Sequence, residues 1–108
     1  MSLMSAHVLD AAAGVPAAGV AVTLSSASGE AIASGATQTD GRLAQLGPDR
    51  LDPGHYVITF GSGAYYAERG IDCFYPTVTV TFSVVGGQPH YHVPLLLSPY
   101  SYTTYRGS

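Results

Sequence analysis

Alternation of apolar and polar residues dominates this chain, and it predicts a protein built of β-strands. Four stretches carry an apolar residue at every second position, as expected of strands that bury one face. Short turn sequences rich in Gly, Pro, Ser and Asp separate these stretches. The positions predicted to face the core are Met4, Ala6 and Val8; Val20, Val22 and Leu24; Tyr56, Ile58 and Phe60; and Val78, Val80 and Phe82.

A single segment has a helical composition. Residues 63–70 (GAYYAERG) place Ala and Glu between two glycines and predict a helix of two turns. Seven or eight short strands and one short helix indicate a mainly β fold, a β-sandwich. The length of 108 residues fits one domain spanning residues 1–108. We hypothesise that residues 1–3, which precede Met4, are a cloning remnant.

The surface is predicted to be unusually neutral. Charged residues make up 10% of the chain, against about 25% in typical domains. A neutral surface on a small domain is typical of subunit contacts, so we expect an oligomer. The net charge is −3 and no basic stripe is present, which argues against a nucleic-acid partner. All four basic residues are arginines: Arg42, Arg50, Arg69 and Arg106.

The chain also lacks the signals of membrane insertion and secretion. No stretch approaches the roughly 18 apolar residues of a membrane span, and the first residues lack the basic and apolar regions of a signal peptide. Cys73 is the one cysteine, so no disulfide can form within the chain. We interpret Cys73 as a small buried residue and expect a cytoplasmic location.

Histidines give the sequence its candidate chemistry. His90 and His92 are two residues apart on a predicted strand, so their side chains should point to one face. His7 alternates with Ala6 and Val8; if those two residues face the core, His7 faces outward. Pro94 lacks an N–H, which predicts that its strand is an edge strand or bulged there.

Several interpretations of these residues remain open from the pattern alone. The histidines are consistent with ordinary surface or interface residues, with a zinc site built on the H-x-H pair and a third histidine, or with acid–base catalysis near neutral pH. Arg42 follows an Asp-Gly turn. It is either a solvated loop charge or a fixed guanidinium that binds carbonyl or anionic oxygens.

Three separated motifs narrow the choice. They are SAHVLDAAAGVPAAGVAVTL at 5–24, TDGR at 39–42 and HYHVPLLLSPYSYTTYRGS at 90–108. Together they resemble the 5-hydroxyisourate hydrolase family, the transthyretin-related enzymes of purine breakdown. Residues 54–82 look similar too, so the resemblance covers nearly the whole chain. The closing Tyr-Arg-Gly-Ser is its most specific part, because it distinguishes the enzymes from the transthyretin hormone carriers.

The resemblance implies a fold and an assembly. It implies a transthyretin-like β-sandwich of two four-stranded sheets with one short helix. It also implies a homotetramer, a dimer of dimers, with active sites at the dimer–dimer interface of a central channel. The implied reaction opens the six-membered ring of 5-hydroxyisourate to 2-oxo-4-hydroxy-4-carboxy-5-ureidoimidazoline, with no metal or cofactor.

The resemblance also assigns roles to residues. His7 and His92 are the expected proton-transfer pair, with the order of their roles left open, and Arg42 is expected to stabilise developing negative charge. Ser108 is expected to close the site, where its carboxylate would orient one imidazole. His90 is given a supporting role at most. The implied catalytic residues are His7, Arg42, His92 and Ser108, and the implied substrate-binding residues are His7, Arg42, Tyr105, Arg106 and Gly107.

A carrier function is the alternative to the enzyme. A transthyretin-like channel would bind an apolar ligand without turnover. Two outward imidazoles, Arg42 and the Tyr-Arg-Gly-Ser ending count against it, because an apolar ligand gains little from them.

Overall fold

A computed structural model of the protein describes residues 2–108, and within that range the chain forms nine strands and one short helix. The strands are β1 (Met4–Asp10), β2 (Val15–Pro16), β3 (Ala21–Ser26), β4 (Ala31–Ala36), β5 (Arg42–Leu46), β6 (Gly54–Phe60), β7 (Val78–Val84), β8 (Tyr91–Ser98) and β9 (Ser101–Thr104), and the helix is α1 (Ser62–Ala67).

The strands form two sheets, as the predicted β-sandwich requires. One sheet is antiparallel, in the order β4-β3-β6-β7. In the other, β8 lies between β1 and β9, pairing parallel with β1 and antiparallel with β9. β5 and the two-residue β2 pair with different parts of the remaining edge of β1. This sheet therefore has five strands where four were expected. It is only four strands wide at any point, because β2 and β5 share one edge of β1.

Most of the predicted core positions are confirmed. Met4, Ala6 and Val8 have no exposed surface, and the same holds for Val20, Val22, Leu24, Ile58 and Phe60. Tyr56 is half-buried. Val80 and Phe82 are only half-buried, because β7 is the last strand of its sheet and lacks a neighbour on one side. The period-two pattern thus identified the inner faces of both sheets.

Helix α1 is shorter than predicted. It covers six residues, Ser62–Ala67, instead of the eight residues 63–70. The N–H groups of Arg69 and Gly70 donate to carbonyls three residues earlier, at 3.0 Å and 3.1 Å. Bonds of this spacing tighten the chain into a turn that ends the α-helix.

The prediction that Pro94 marks an edge strand or a bulge is wrong. β8 lies inside its sheet, and its register with β9 continues without a shift from Ser98 to Leu95. The β8–β9 ladder ends at the pair Leu95–Thr104, so the residue opposite Pro94 forms no ladder pair. Pairing resumes with an isolated antiparallel bridge between His92 and Gly107. The Thr104 hydroxyl donates to the Pro94 carbonyl at 2.8 Å.

Two minor expectations have different outcomes. Cys73 was expected to be buried but is half-buried, and its thiol donates to the carbonyl of Tyr75 at 3.2 Å. Leu3 belongs to the core with 8% of its surface exposed, whereas Met1 lies outside the described residues. The interpretation of residues 1–3 as a cloning remnant stays a prediction.

No helix among residues 2–108 is long and apolar enough to span a membrane.

A buried carboxylate joins the helix to the sheet that carries β1. Asp10 has 3% of its surface exposed and accepts hydrogen bonds from the hydroxyls of Tyr65 and Tyr66, at 3.0 Å and 3.1 Å. It also accepts from the backbone N–H groups of Ala12 and Ala13. Burial, together with the negative charge of Asp10, raises the pKa of both phenols. They therefore remain protonated donors at neutral pH.

Replacing Asp10 with alanine should destabilise the fold strongly. The change removes the acceptor of the buried Tyr65 hydroxyl and the closer of two acceptors of the Tyr66 hydroxyl, which keeps only the Leu97 carbonyl at 3.3 Å. A buried hydroxyl left without its acceptor costs about 1–3 kcal/mol, and the turn at Ala12 and Ala13 loses its acceptor as well. We expect the free energy of unfolding, measured by urea denaturation at fixed protein concentration, to fall by about 3 kcal/mol or more. Asp72→Ala, at an exposed position, should change it by less than about 0.5 kcal/mol. Equal effects of the two variants would contradict this account.

Candidate active site

His7, Arg42 and His92 lie on the outer face of the five-stranded sheet. The strand register pairs His7 with Arg42 on β5 and Ser5 with His92 on β8. Residues paired across neighbouring strands point to the same side of a sheet. The two histidines are half-buried and Arg42 is exposed. The predicted outward orientation of His7 is therefore confirmed, and three chain-distant residues meet on one face.

The imidazole of His7 is held by a backbone carbonyl. Its ring centroid is 6.4 Å from that of His92, and its Nε2 is 3.0 Å from the carbonyl oxygen of Asp40. A carbonyl can only accept, so Nε2 must carry the proton. Nδ1 is therefore the nitrogen of neutral His7 that can accept a proton.

The predicted Asp-Gly turn presents Arg42 from a rigid position. The Asp40 carboxylate accepts the N–H of Arg42 at 3.0 Å, and the N–H of Val8 donates to the carbonyl of Gly41 at 2.8 Å. Gly41 has a φ of +79°, and a Cβ there would overlap the carbonyl oxygen of Val8. Only glycine fits this turn. The guanidinium of Arg42 forms no hydrogen bond within residues 2–108, so it is free to bind a ligand.

His92 is held at one ring nitrogen by Ser5. The Ser5 hydroxyl lies 2.7 Å from Nδ1 of His92 and 2.7 Å from Nε2 of His90. Burial lowers the pKa of His92, and the positive charges of His7, Arg42 and His90 lower it further. His92 is consequently neutral at a pH where an ordinary imidazole is still partly protonated, as a general base requires.

Ser5 was not identified from the sequence. Its signal was its position two residues before His7, which places both side chains on the same face. A serine in a strand is common, however, and the serine gains its significance from the two histidines that lie 85 and 87 residues away in the chain. His90 precedes β8, as expected for the strand entrance, and its ring converges with that of His92 on Ser5.

The closing segment folds back along β8. The N–H of Gly107 donates to the carbonyl of His92 at 2.9 Å. A Cβ at Gly107 would lie 2.5 Å from Cδ2 of the His92 ring and 3.0 Å from Cγ of Pro94. Gly107 therefore allows the segment to pack directly on the imidazole. Ser108 lies beyond it and lines a pocket of about 320 Å³ with Ser5, Ala6, Arg42, Ala44, Gln45, His90 and His92.

Tyr105 and Arg106 do not reach this pocket within one chain. They line a second groove, at the open edge between the sheets, together with Tyr91 and with His92, which lines both cavities. The Arg106 guanidinium lies 4.8 Å from the centre of the Tyr91 ring and donates to the side chain of Gln88 at 3.1 Å. Alternation along the segment explains the position of Arg106, because Gly107 shares the face of His92 and its neighbour Arg106 points to the opposite side.

The part of the chain that the structure describes has no cluster of three or more His, Cys, Asp or Glu side chains able to hold a metal ion.

Comparisons with known proteins identify the family and the fold of the chain. The model of the HIUase/Transthyretin family matches residues 4–107. A 5-hydroxyisourate hydrolase of Salmonella dublin is 40% identical over 111 residues, which cover 99% of this chain and 82% of that protein. The structure of Klebsiella pneumoniae 5-hydroxyisourate hydrolase superposes with a TM-score of 0.92 at 38% identity, with 100% of both chains covered. Sea bream transthyretin in complex with thyroxine superposes with a TM-score of 0.90 at 34% identity, covering 97% of this chain and 94% of that one. The chain therefore belongs to the HIUase/Transthyretin family.

Proposed function

We propose that the protein is a 5-hydroxyisourate hydrolase, which opens the six-membered ring of its substrate to 2-oxo-4-hydroxy-4-carboxy-5-ureidoimidazoline. One observation carries the proposal: the ring centroids of His7 and His92 lie 6.4 Å apart on one outer face, beside the guanidinium of Arg42, which has no hydrogen-bond partner within residues 2–108. These are the groups that hydrolysis of an acyl–nitrogen bond requires. The hydrolases of Salmonella dublin and Klebsiella pneumoniae are its relatives along the whole chain.

His92 is the proposed general base. Its lowered pKa keeps the ring neutral, and Ser5 occupies Nδ1, so Nε2 is the nitrogen that can meet a water molecule. Water is a poor nucleophile, and removal of its proton as it attacks the ring carbonyl accelerates such a step by roughly 10²–10⁴-fold. The water oxygen bonds to the carbonyl carbon, and its proton passes to His92.

His7 is the proposed general acid. Breaking the carbon–nitrogen bond leaves an electron pair on nitrogen, which needs a proton. Protonated His7 donates one from Nδ1, while its Nε2–H stays bonded to the Asp40 carbonyl. A carbonyl accepts from imidazole and imidazolium alike, so this contact holds the ring in both states.

Arg42 is the proposed oxyanion stabiliser. The attacked carbonyl oxygen gains negative charge in the tetrahedral intermediate, and a fixed guanidinium lowers the energy of that charge. The hydrogen bonds of the Asp-Gly turn fix the backbone of Arg42 before substrate binds. The base of the side chain is therefore fixed in advance, and binding of the substrate oxygen would order the exposed guanidinium.

We propose that the active protein is a homotetramer, a dimer of dimers, with the site at the dimer–dimer interface. Within one chain, His7 and His92 are half-buried on the outer face of the sheet, which no other layer of the protein covers. A second subunit packed on this face would enclose the two imidazoles. In such an assembly Tyr105 and Arg106 would also contribute to substrate binding. Sedimentation velocity measures the assembly, and a monomer at catalytic concentrations would contradict an interfacial site.

A carrier remains the alternative, because sea bream transthyretin, which shares the fold, is found in complex with thyroxine. One experiment separates the two functions. Urate oxidase generates 5-hydroxyisourate from urate, and the decay of its ultraviolet absorbance is followed with and without the protein. The proposal requires the protein to accelerate the decay. An unchanged decay rate together with binding of an apolar ligand would favour the carrier.

The contact between Gly107 and His92 yields a prediction in the same assay. Gly107→Ala would force the His92 ring to move, because the added Cβ would lie 2.5 Å from Cδ2. A displacement of about 1 Å can lower turnover by roughly 100-fold, and we expect kcat to fall by 10- to 100-fold. Gly86→Ala is the matched control, since a Cβ at Gly86 meets no atom within 4 Å. Equal kcat values for the two variants would show that the close packing is not needed.

A further inference from the structure

Three side chains form a hydrogen-bonded chain on the outer face. The Ser5 hydroxyl bridges Nε2 of His90 and Nδ1 of His92, with both distances at 2.7 Å. Ser5 has 8% of its surface exposed, whereas His90 is exposed. One end of this chain therefore reaches solvent, and the other end is the imidazole that we propose as the general base.

A hydroxyl has a single proton, which gives the chain a direction. If Ser5 donates to His90, then Nδ1 of His92 donates to Ser5, and Nε2 of His92 carries a lone pair. If Ser5 donates to His92, then Nε2 of His90 donates to Ser5, and Nε2 of His92 carries the proton. A third arrangement, in which both imidazoles donate to Oγ, would leave the Ser5 proton without an acceptor among residues 2–108. Of the two arrangements that use this proton, only the first allows His92 to accept a proton from water at its remaining nitrogen.

We propose that Ser5 and His90 are positioning residues that set the tautomer of His92. The proposal rests on the proposed function, since it concerns the base of that reaction. Neutral His90 accepts the Ser5 proton at Nε2, and this keeps the proton of His92 on Nδ1. Neither Ser5 nor His90 contacts the reacting atoms in this role.

The proposal predicts how protonation of His90 affects the site. Protonated His90 can only donate, so the Ser5 proton can then find an acceptor within this chain only at Nδ1 of His92. That arrangement places the proton of neutral His92 on Nε2. The charged and titratable groups around the chain are His7 on β1, Arg42 on β5, His92 itself and Ser108 in the closing segment. Arg106 is turned away, over Tyr91. His7 and Arg42 belong to the proposed reaction, so the test replaces Ser5 and His90.

The first test removes the hydroxyl and compares it with a variant that keeps it. We expect Ser5→Ala to lower kcat by roughly 10- to 100-fold, the range typical when the partner that orients a functional imidazole is lost, with KM nearly unchanged. Ser5→Thr retains a hydroxyl and should remain within about threefold of the wild-type kcat. Wild-type kcat in Ser5→Ala would overturn the proposal. An equal loss in both variants would also overturn it, because the effect would then come from packing.

The second test needs no turnover. Imidazole ¹⁵N NMR distinguishes protonated from unprotonated ring nitrogens. The proposal expects neutral His92 to be protonated at Nδ1 in the wild type and in Ser5→Thr, but not uniformly in Ser5→Ala. His90→Gln at the exposed end offers the Ser5 hydroxyl an acceptor that cannot be protonated, so neutral His92 should keep its proton on Nδ1.

The two readouts separate failure of this inference from failure of the proposed function. A wild-type protein that leaves 5-hydroxyisourate decay unchanged, but shows the expected ¹⁵N pattern, would contradict the enzyme function and retain the tautomer assignment. A wild-type enzyme with His92 protonated at Nε2 when neutral would contradict the role of Ser5 and His90. Loss of the Nδ1 proton from neutral His92 in His90→Gln would do the same.

Discussion

His92→Asn should lower kcat/KM for 5-hydroxyisourate by roughly 10²–10⁴-fold, the contribution of a positioned general base. Asparagine can keep a hydrogen bond to Ser5, so the local packing is retained while the titratable nitrogen is lost. The absorbance assay with enzymatically generated substrate measures the change. His55→Asn is the matched control, because His55 is exposed on the other sheet.

The pH dependence of the wild type tests the same assignment. Activity requires neutral His92, so kcat/KM should fall as the pH drops through the pKa of His92. Burial and neighbouring positive charge lower that pKa from its ordinary value of 6.5, so activity should persist to lower pH than an ordinary imidazole allows. A kcat/KM for His92→Asn within threefold of the wild type would remove His92 from the mechanism.

Arg42→Met should lower kcat by roughly 10²–10³-fold, as expected when a group that stabilises an oxyanion is removed. Methionine keeps much of the length and apolar character of the side chain but neither the charge nor the donors. Arg42→Lys should recover part of the loss, because it restores the charge without the planar pair of donors. Arg50→Met, at an exposed loop position, controls for the change in net charge. Equal kcat values for the methionine and lysine variants would show that charge at this position does not matter.

The sequence predicted the parts of the fold that follow from local alternation. β1, β3, β6 and β7 bury one face, and period two identifies that face without knowledge of the partners. β4 was not identified, because its sequence, AIASGA, combines small residues with little contrast between its faces. The position of β8 inside the sheet was missed, because the effect of Pro94 depends on which neighbouring strand its missing N–H would face.

The candidate site was predicted only in part. The outward orientation of His7 followed from Ala6 and Val8, whereas the meeting of His7, Arg42 and His92 depends on the register among three strands that are far apart in the chain. Their catalytic roles came from the resemblance and remain predictions. The bridge through Ser5 could not be read from the sequence, since a hydrogen bond between distant side chains leaves no periodic pattern.

The gap opposite Pro94 has a consequence for motion. The bond from the Gly107 N–H to the His92 carbonyl lies beyond this gap and is separated from the continuous β8–β9 ladder. It can therefore break while the β8–β9 ladder stays intact, by a local opening that costs far less free energy than global unfolding. Native-state hydrogen exchange should show the Gly107 amide exchanging much faster than the amides of β8 that donate to β1. Each such opening would expose one side of the His92 ring. The opening rate of the closing segment would then limit the rate at which substrate and product reach and leave that side of the imidazole.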